Sequence, residues 1–118
     1  MTDFFEIAHQ WFDAFNNKDI DALIDLYDDD AEHYSPKLKI SQPHTKGWIK
    51  GSDALRAWWN DAFERMPQLH YEIIKLMKDD EQVFMEYMRQ NPGEPDLRVG
   101  EVLNISNGKI VMSRVYHS

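Results

Sequence analysis

Apolar and polar positions divide the chain into a helical first half and a stranded second half. Phe4, Ala8, Trp11, Phe12 and Phe15 recur at helical spacing. They predict a first helix capped by Thr2 or Asp3, with Glu6 in its first turn. Asn16-Asn17-Lys18-Asp19 breaks it. Asp19 caps a shorter second helix with Ile20, Leu23, Ile24 and Tyr27 on its apolar face. Asp28-Asp29-Asp30 stops that helix, because three carboxylates at a helix C-terminus oppose the macrodipole. The three aspartates are consecutive, lack calcium-loop spacing and read as a solvated turn. Ala31 to Ser35 is a short strand closed by Pro36. Lys37 to Lys46 is the least regular stretch, a loop placed to act as a lid over a cavity. Gly47 to Gly51 is a brief extended piece. Ser52 caps a third helix, Asp53 to Arg65, whose buried stripe is Leu55, Trp58, Trp59, Ala62 and Met66. Pro67 ends it.

Four strands follow: Leu69 to Lys78, Gln82 to Gln90, Leu97 to Ser106 and Lys109 to Tyr116. Turn residues separate them: Asp79-Asp80, the run from Asn91 to Pro95, and Asn107-Gly108, a strong hairpin signal. The order predicts an α+β fold, with three helices packed on one face of a curved antiparallel sheet around a pocket. No repeat, linker or low-complexity segment interrupts it, so residues 1–118 are expected to form one domain. Alternate strand residues share a face. Phe84, Glu86 and Met88 then lie together, as do Val99, Glu101, Leu103 and Ile105. A hairpin turning around Pro92 to Pro95 sets Glu86 roughly opposite Glu101, two carboxylates among apolar neighbours. The outward face would carry Val83, Met85, Tyr87, Val102, Met112 and Tyr116. That is too apolar for a solvated face, and it predicts a homodimer through the convex side of the sheet.

Composition narrows the function. Apolar residues make up 42% and aromatics 13% of 118 residues, which is globular and rich in rings. The net charge of −8 argues against nucleic acid and an anionic membrane surface as partners, and its plainest reading is solubility. No cysteine is present, which fits a reducing cytoplasm. The N-terminal residues carry neither a basic segment nor a long apolar run, so neither a signal peptide nor a membrane span is expected. A small apolar molecule is the expected partner, and no cofactor is implied.

Four pieces in this order carry a resemblance: Ala14 to Leu23 (AFNNKDIDAL), Leu26 to Ala31 (LYDDDA), Lys50 to Arg56 (KGSDALR) and Asn107 to Val111 (NGKIV). Together they resemble the nuclear transport factor 2-like, cystatin-like α+β barrel family, and more closely its SnoaL-like branch. The resemblance implies a small homodimer with a conical, mostly apolar pocket. The branch includes ketosteroid isomerases, limonene epoxide hydrolases and polyketide cyclases, so fold alone does not name the reaction. In the isomerases the base is an aspartate just before a proline in the first strand, and Ser35 before Pro36 stands there. Their phenol donor corresponds to Trp11. Their second acid corresponds to Glu101, so a carboxyl group is kept. The epoxide hydrolase arginine and aspartate correspond to Val99 and Val115, and the cyclase aspartate to Ser118 or Val115.

The residues that remain suggest acid–base chemistry. Two buried carboxylates at Glu86 and Glu101 cannot both ionise cheaply, so one should hold a proton near neutral pH. The alternative is that one faces water or pairs with Arg89, Arg98 or Arg114, which alternation places outward. If Ser35 faces the pocket, so does His33, an expected base at neutral pH; the alternative is an inert core histidine. His33, Glu86, Glu101 and His117 have no metal-site spacing, so no metal is expected. The expected substrate wall is Trp11, Phe15, Trp48, Trp58 and Phe84, joined by Ser35, Met88, Val99, Leu103, Val115 and His117. Such a wall suits a flat apolar ligand.

Overall fold

The structure is a computed structural model and describes residues 3–117. Thr2 and Ser118 lie outside the described residues. Helix α1 (Phe4–Asn16) is capped by the Asp3 carboxylate, which accepts from the Phe5 amide at 2.9 Å. Asp19 caps α2 (Ile20–Asp25) in the same way. Strand β1 (Tyr27–Tyr34) starts earlier than the pattern predicts. Tyr27 is its first residue and not part of α2, and the three aspartates lie in the strand, exposed. They fall where the pairing of β1 with its neighbour shifts register, between Tyr27 and Glu32. An irregular, water-facing strand tolerates three carboxylates that a packed one would not.

The expected loop after Pro36 is instead a short helix, α3 (Pro36–Ser41), and a 3-10 turn (Pro43–Thr45). Ser35 accepts from the Lys37 amide at 3.2 Å and Pro36 occupies the first helical position, a pairing that favours helix initiation. Leu38 anchors α3 by full burial. Strand β2 (Trp48–Lys50) leads to α4 (Ser52–Arg65), where Gly51 holds the cap position at φ 93° and Ser52 is already helical. Strands β3 (His70–Lys78), β4 (Gln82–Gln90), β5 (Leu97–Ser106) and β6 (Lys109–Tyr116) complete the chain.

The six strands form one curved, unclosed sheet in the order β2-β1-β6-β5-β4-β3. Strands β1 and β6 run parallel and the other pairs antiparallel. The helices lie on the concave face, α1 against β3 and β4, and α4 against β1. The core there is aromatic. Trp11 meets Phe15 at 4.3 Å between ring centroids, Phe15 meets Tyr71 at 5.0 Å, and Tyr71 meets Tyr87 at 4.4 Å. Among the described residues no helix is long and apolar enough to cross a membrane.

Strand β5 follows the predicted alternation, with Val99, Glu101, Leu103 and Ile105 all buried. Strand β4 is reversed. Val83, Met85, Tyr87 and Arg89 are buried, while Phe84, Glu86 and Met88 face the convex side. The register pairs Met85 with Glu101 and Glu86 with Gly100, one residue from the expected pairing. A one-residue slip exchanges the two faces of a strand. The expected convex patch therefore loses Val83, Met85 and Tyr87 to the core.

One side chain ties α1 to the sheet. Asn16 donates from Nδ2 to the Tyr71 carbonyl at 3.0 Å and accepts on Oδ1 from the Tyr71 amide at 2.8 Å. The amide group thus completes the backbone bonding of Tyr71 on edge strand β3. Asn16→Ala leaves both backbone groups partly buried and unpaired, a loss of about 2 kcal/mol. Urea denaturation checks this, and an unchanged midpoint would show the pair to be dispensable.

Candidate active-site cavity

A cavity of about 840 Å³ opens between the concave face and helices α3 and α4. Glu101 stands on its wall and is 1% exposed. Its Oε1 accepts a hydrogen bond of 2.8 Å from the Tyr87 hydroxyl. Its Oε2 is buried and has no hydrogen-bond partner among the described residues. Burial disfavours the charged form and pushes the carboxyl group up from 4.5 to about 8, although the Tyr87 bond pulls it down somewhat. Tyr87 and Tyr71 are in turn held well above the usual phenol range, first by burial and then by the charge of Glu101.

His33, on β1, lines the same cavity and is 2% exposed. Its Nδ1 lies 2.6 Å from the Ser113 hydroxyl. Tyr27 donates to Ser113 at 3.0 Å, and Trp11 Nε1 donates to the Tyr27 hydroxyl at 3.1 Å. An indole nitrogen can only donate. Its proton therefore sets the direction of the whole chain: Trp11 to Tyr27, Tyr27 to Ser113, Ser113 to His33 Nδ1. His33 then carries its hydrogen on Nε2. Burial lowers its pKa from 6.5 to about 3, so the ring is neutral. The Trp59 ring packs against it at 5.0 Å. Of the two expected readings of His33, a base or an inert core histidine, a strong base is the less favoured here, since Ser113 engages Nδ1 and burial disfavours the protonated ring. What it offers is a neutral N–H donor.

The cavity wall includes eight of the expected site residues: His33 and Glu101, Phe15, Ser35 and Trp58, and Val99, Val115 and His117. The other six lie elsewhere. Glu86 is on the convex face, where Arg98 donates to it at 3.0 Å, so the expected carboxylate pair does not form. Phe84 and Met88 share that face because of the β4 register. Trp11 and Leu103 are fully packed in the core below the cavity. Trp48 is 38% exposed on the short strand β2 and packs on Tyr34.

Sequence reasoning passed over Tyr87 and Arg89, which alternation had placed outside, and Tyr27, which it had placed in α2. Ser113 was also missed. Setting Met112 and Arg114 outward already turns it inward beside Val115, where the structure buries it, but a lone serine carries no motif that would single it out. Among the described residues no group of three or more His, Asp or Glu side chains is placed to hold a metal ion.

The buried titrating groups make stability depend on pH. The raised pKa of Glu101 means that the folded chain keeps a proton that the unfolded chain releases near pH 4.5. Stability from this group is full below pH 4.5 and is lost as pH rises to about 8. The depressed pKa of His33 acts in the other direction, with stability present above pH 6.5 and lost as pH falls toward about 3. Glu101→Gln removes the first dependence alone. It is expected to stabilise the fold by about 2–4 kcal/mol at pH 8 and little at pH 4.5, by thermal unfolding at both. Equal effects at the two pH values would place the Glu101 pKa near its ordinary value.

Solved structures of other proteins share this fold. A SnoaL-like protein of unknown function from Burkholderia thailandensis is 24% identical, with a TM-score of 0.87 over 96% of this chain and 92% of that one. A cystatin-fold protein from Novosphingobium aromaticivorans is 21% identical, with a TM-score of 0.82 over 99% and 100%. A protein of ketosteroid isomerase-like fold from Catenulispora acidiphila, solved in complex with trimethylamine, is 20% identical, with a TM-score of 0.76 over 96% and 85%. At these identities the likeness concerns the fold. No curated protein matches the chain. The SnoaL-like domain profile matches residues 8–112. With nearly the whole chain inside that match, the protein belongs to the SnoaL-like domain family.

Proposed function

We propose that the cavity binds a small apolar carbonyl compound and moves a proton on it. One observation carries this reading: a buried carboxyl with a free oxygen and a pKa near 8 shares a cavity with a neutral imidazole N–H donor. Glu101 is on β5 and His33 on β1, with β6 between them. Two strand spacings and two residues of stagger put their backbones roughly 12 Å apart, which leaves room for a substrate ring between the side chains. Ionised Glu101 takes the proton from the carbon beside the carbonyl. The electron pair moves onto the carbonyl oxygen, where His33 Nε2–H stabilises the charge. The protonated Glu101 then returns its proton to the same or a conjugated carbon. A base whose pKa lies close to the working pH suits this exchange.

The test is α-hydrogen exchange in D₂O, followed by NMR on a panel of apolar cyclic ketones. The rate should rise with pH and level off above about pH 8, as Glu101 ionises. Glu101→Gln should slow it about 10²–10⁴-fold. A second reading, a binding module without turnover, is favoured by Ser35, Val99 and Val115, which replace reactive groups at the positions the resemblance assigns. Ketone binding without exchange, unaltered in Glu101→Gln, would select that reading.

We also propose that two chains associate through the convex sheet face. Phe84, Met88, Val102, Met112 and Tyr116 lie there, with Tyr116 49% exposed. Sedimentation equilibrium at micromolar concentration should give twice the 14.0 kDa chain mass. A single 14.0 kDa species would remove the proposal.

A further inference from the structure

The cavity wall changes character toward its mouth. Lys37, Arg65 and Arg89 stand there with Asp61 and Glu94. Asp61 is engaged with Arg65 at 2.8 Å. Lys37 takes part in none of the ion pairs among the described residues. Its ammonium is held below the usual range, first by desolvation and then by the charge of Arg89 nearby. In a chain of net charge −8, the mouth of this cavity therefore carries an excess of positive charge.

Arg89 is the central member. Its side chain is 8% exposed, and the residue sits on the inward face of β4. A guanidinium has five N–H donors in a fork. This one bonds to Glu94 Oε1 at a long 3.4 Å and contacts the Met66 sulfur at 3.1 Å. Sulfur is a weak acceptor, and a buried arginine normally demands a close carboxylate. Glu94 itself is 44% exposed, on the loop between β4 and β5, and the Asn91 amide holds its other oxygen. The guanidinium is therefore buried and lines the cavity, and among the described residues its ion pair is a long one, to a carboxylate on an exposed loop.

We propose that the ligand is an amphipathic carboxylic acid whose carboxylate binds Arg89 and Lys37 in place of Glu94. This rests on the reading of the cavity as a ligand site and adds the class of ligand. The apolar body lies against Trp58 and Val99, toward Glu101. Along β4, Arg89 is four residues from Met85, the partner of Glu101, or about 13 Å of strand. The carboxylate and the reacting end of the ligand are thus well separated, and Glu94 acts as an internal competitor for the guanidinium.

Three probes with one apolar body test this: 4-(1-pyrenyl)butyrate, 4-(1-pyrenyl)butanol and 4-(1-pyrenyl)butylamine, titrated by calorimetry at pH 7. The acid is expected to bind at least tenfold more tightly than the alcohol, and the amine more weakly than either. Arg89→Met should abolish the advantage of the acid and leave the alcohol unchanged. Glu94→Gln, at an exposed position, should tighten the acid severalfold and leave the alcohol alone. Equal binding of acid and alcohol overturns the carboxylate proposal and leaves the apolar cavity standing. An Arg89→Met loss shared by both probes, or no effect of Glu94→Gln, also overturns it. Binding of none of the three overturns both this proposal and the ligand-site reading beneath it.

Discussion

The hydrogen bond from Tyr87 to Glu101 ties the register of the sheet to the chemistry of the cavity. Glu101 is buried, and one bond from a phenol is far less than a carboxylate needs there. The group responds by keeping its proton. That response depends on the pairing of β4 with β5. A slip by one residue would bring Glu86 beside Glu101, take Tyr87 out of the aromatic stack and carry Arg89 to the outer face. Core packing, the state of the carboxyl and the charge at the mouth all follow from that one register.

The second ordered device runs through the core. Trp11 has no hydroxyl, yet it directs three groups that accept and donate in turn. Because the indole can only donate, Tyr27 and Ser113 are left one arrangement in which every proton has an acceptor. The tautomer of His33 is thus set by a residue buried in α1, outside the cavity wall. A histidine held in this way is pre-organised as a donor, and its burial keeps it from competing as a base.

Much of the fold was legible in the sequence because its signals are local. The α1 stripe, the Asp19 cap and the Asn107-Gly108 turn act within a few residues, and the structure keeps them. Strand β5 was legible because its inward and outward residues differ in character. Strand β4 was not. Val83, Met85 and Tyr87 on one face and Phe84 and Met88 on the other are equally apolar, so alternation leaves the choice open. The charged residues then pointed the wrong way, since Arg89 turns inward and Glu86 outward to Arg98. Arg89 turns inward because the cavity, and not the packed core, receives its head group. The expected lid loop failed for a different reason: Ser35-Pro36 ends a strand and starts a helix at once.

The distribution of charge inside the cavity gives the site a polarity. At the inner end, burial holds both titrating groups neutral, so an apolar group meets no desolvated charge there. At the mouth stand Lys37, Arg65 and Arg89, and low-dielectric walls on either side weaken the screening that salt would impose in open water. A molecule with one charged end and one apolar end has a single orientation that satisfies both. The anion stays at Arg89 and the apolar end goes inward. The reverse would place a carboxylate beside Glu101 Oε2, which could receive it only by remaining protonated, and would leave Arg89 with its distant loop carboxylate. The charge that attracts such a ligand to the cavity is therefore also the charge that aligns its far end with Glu101 and His33.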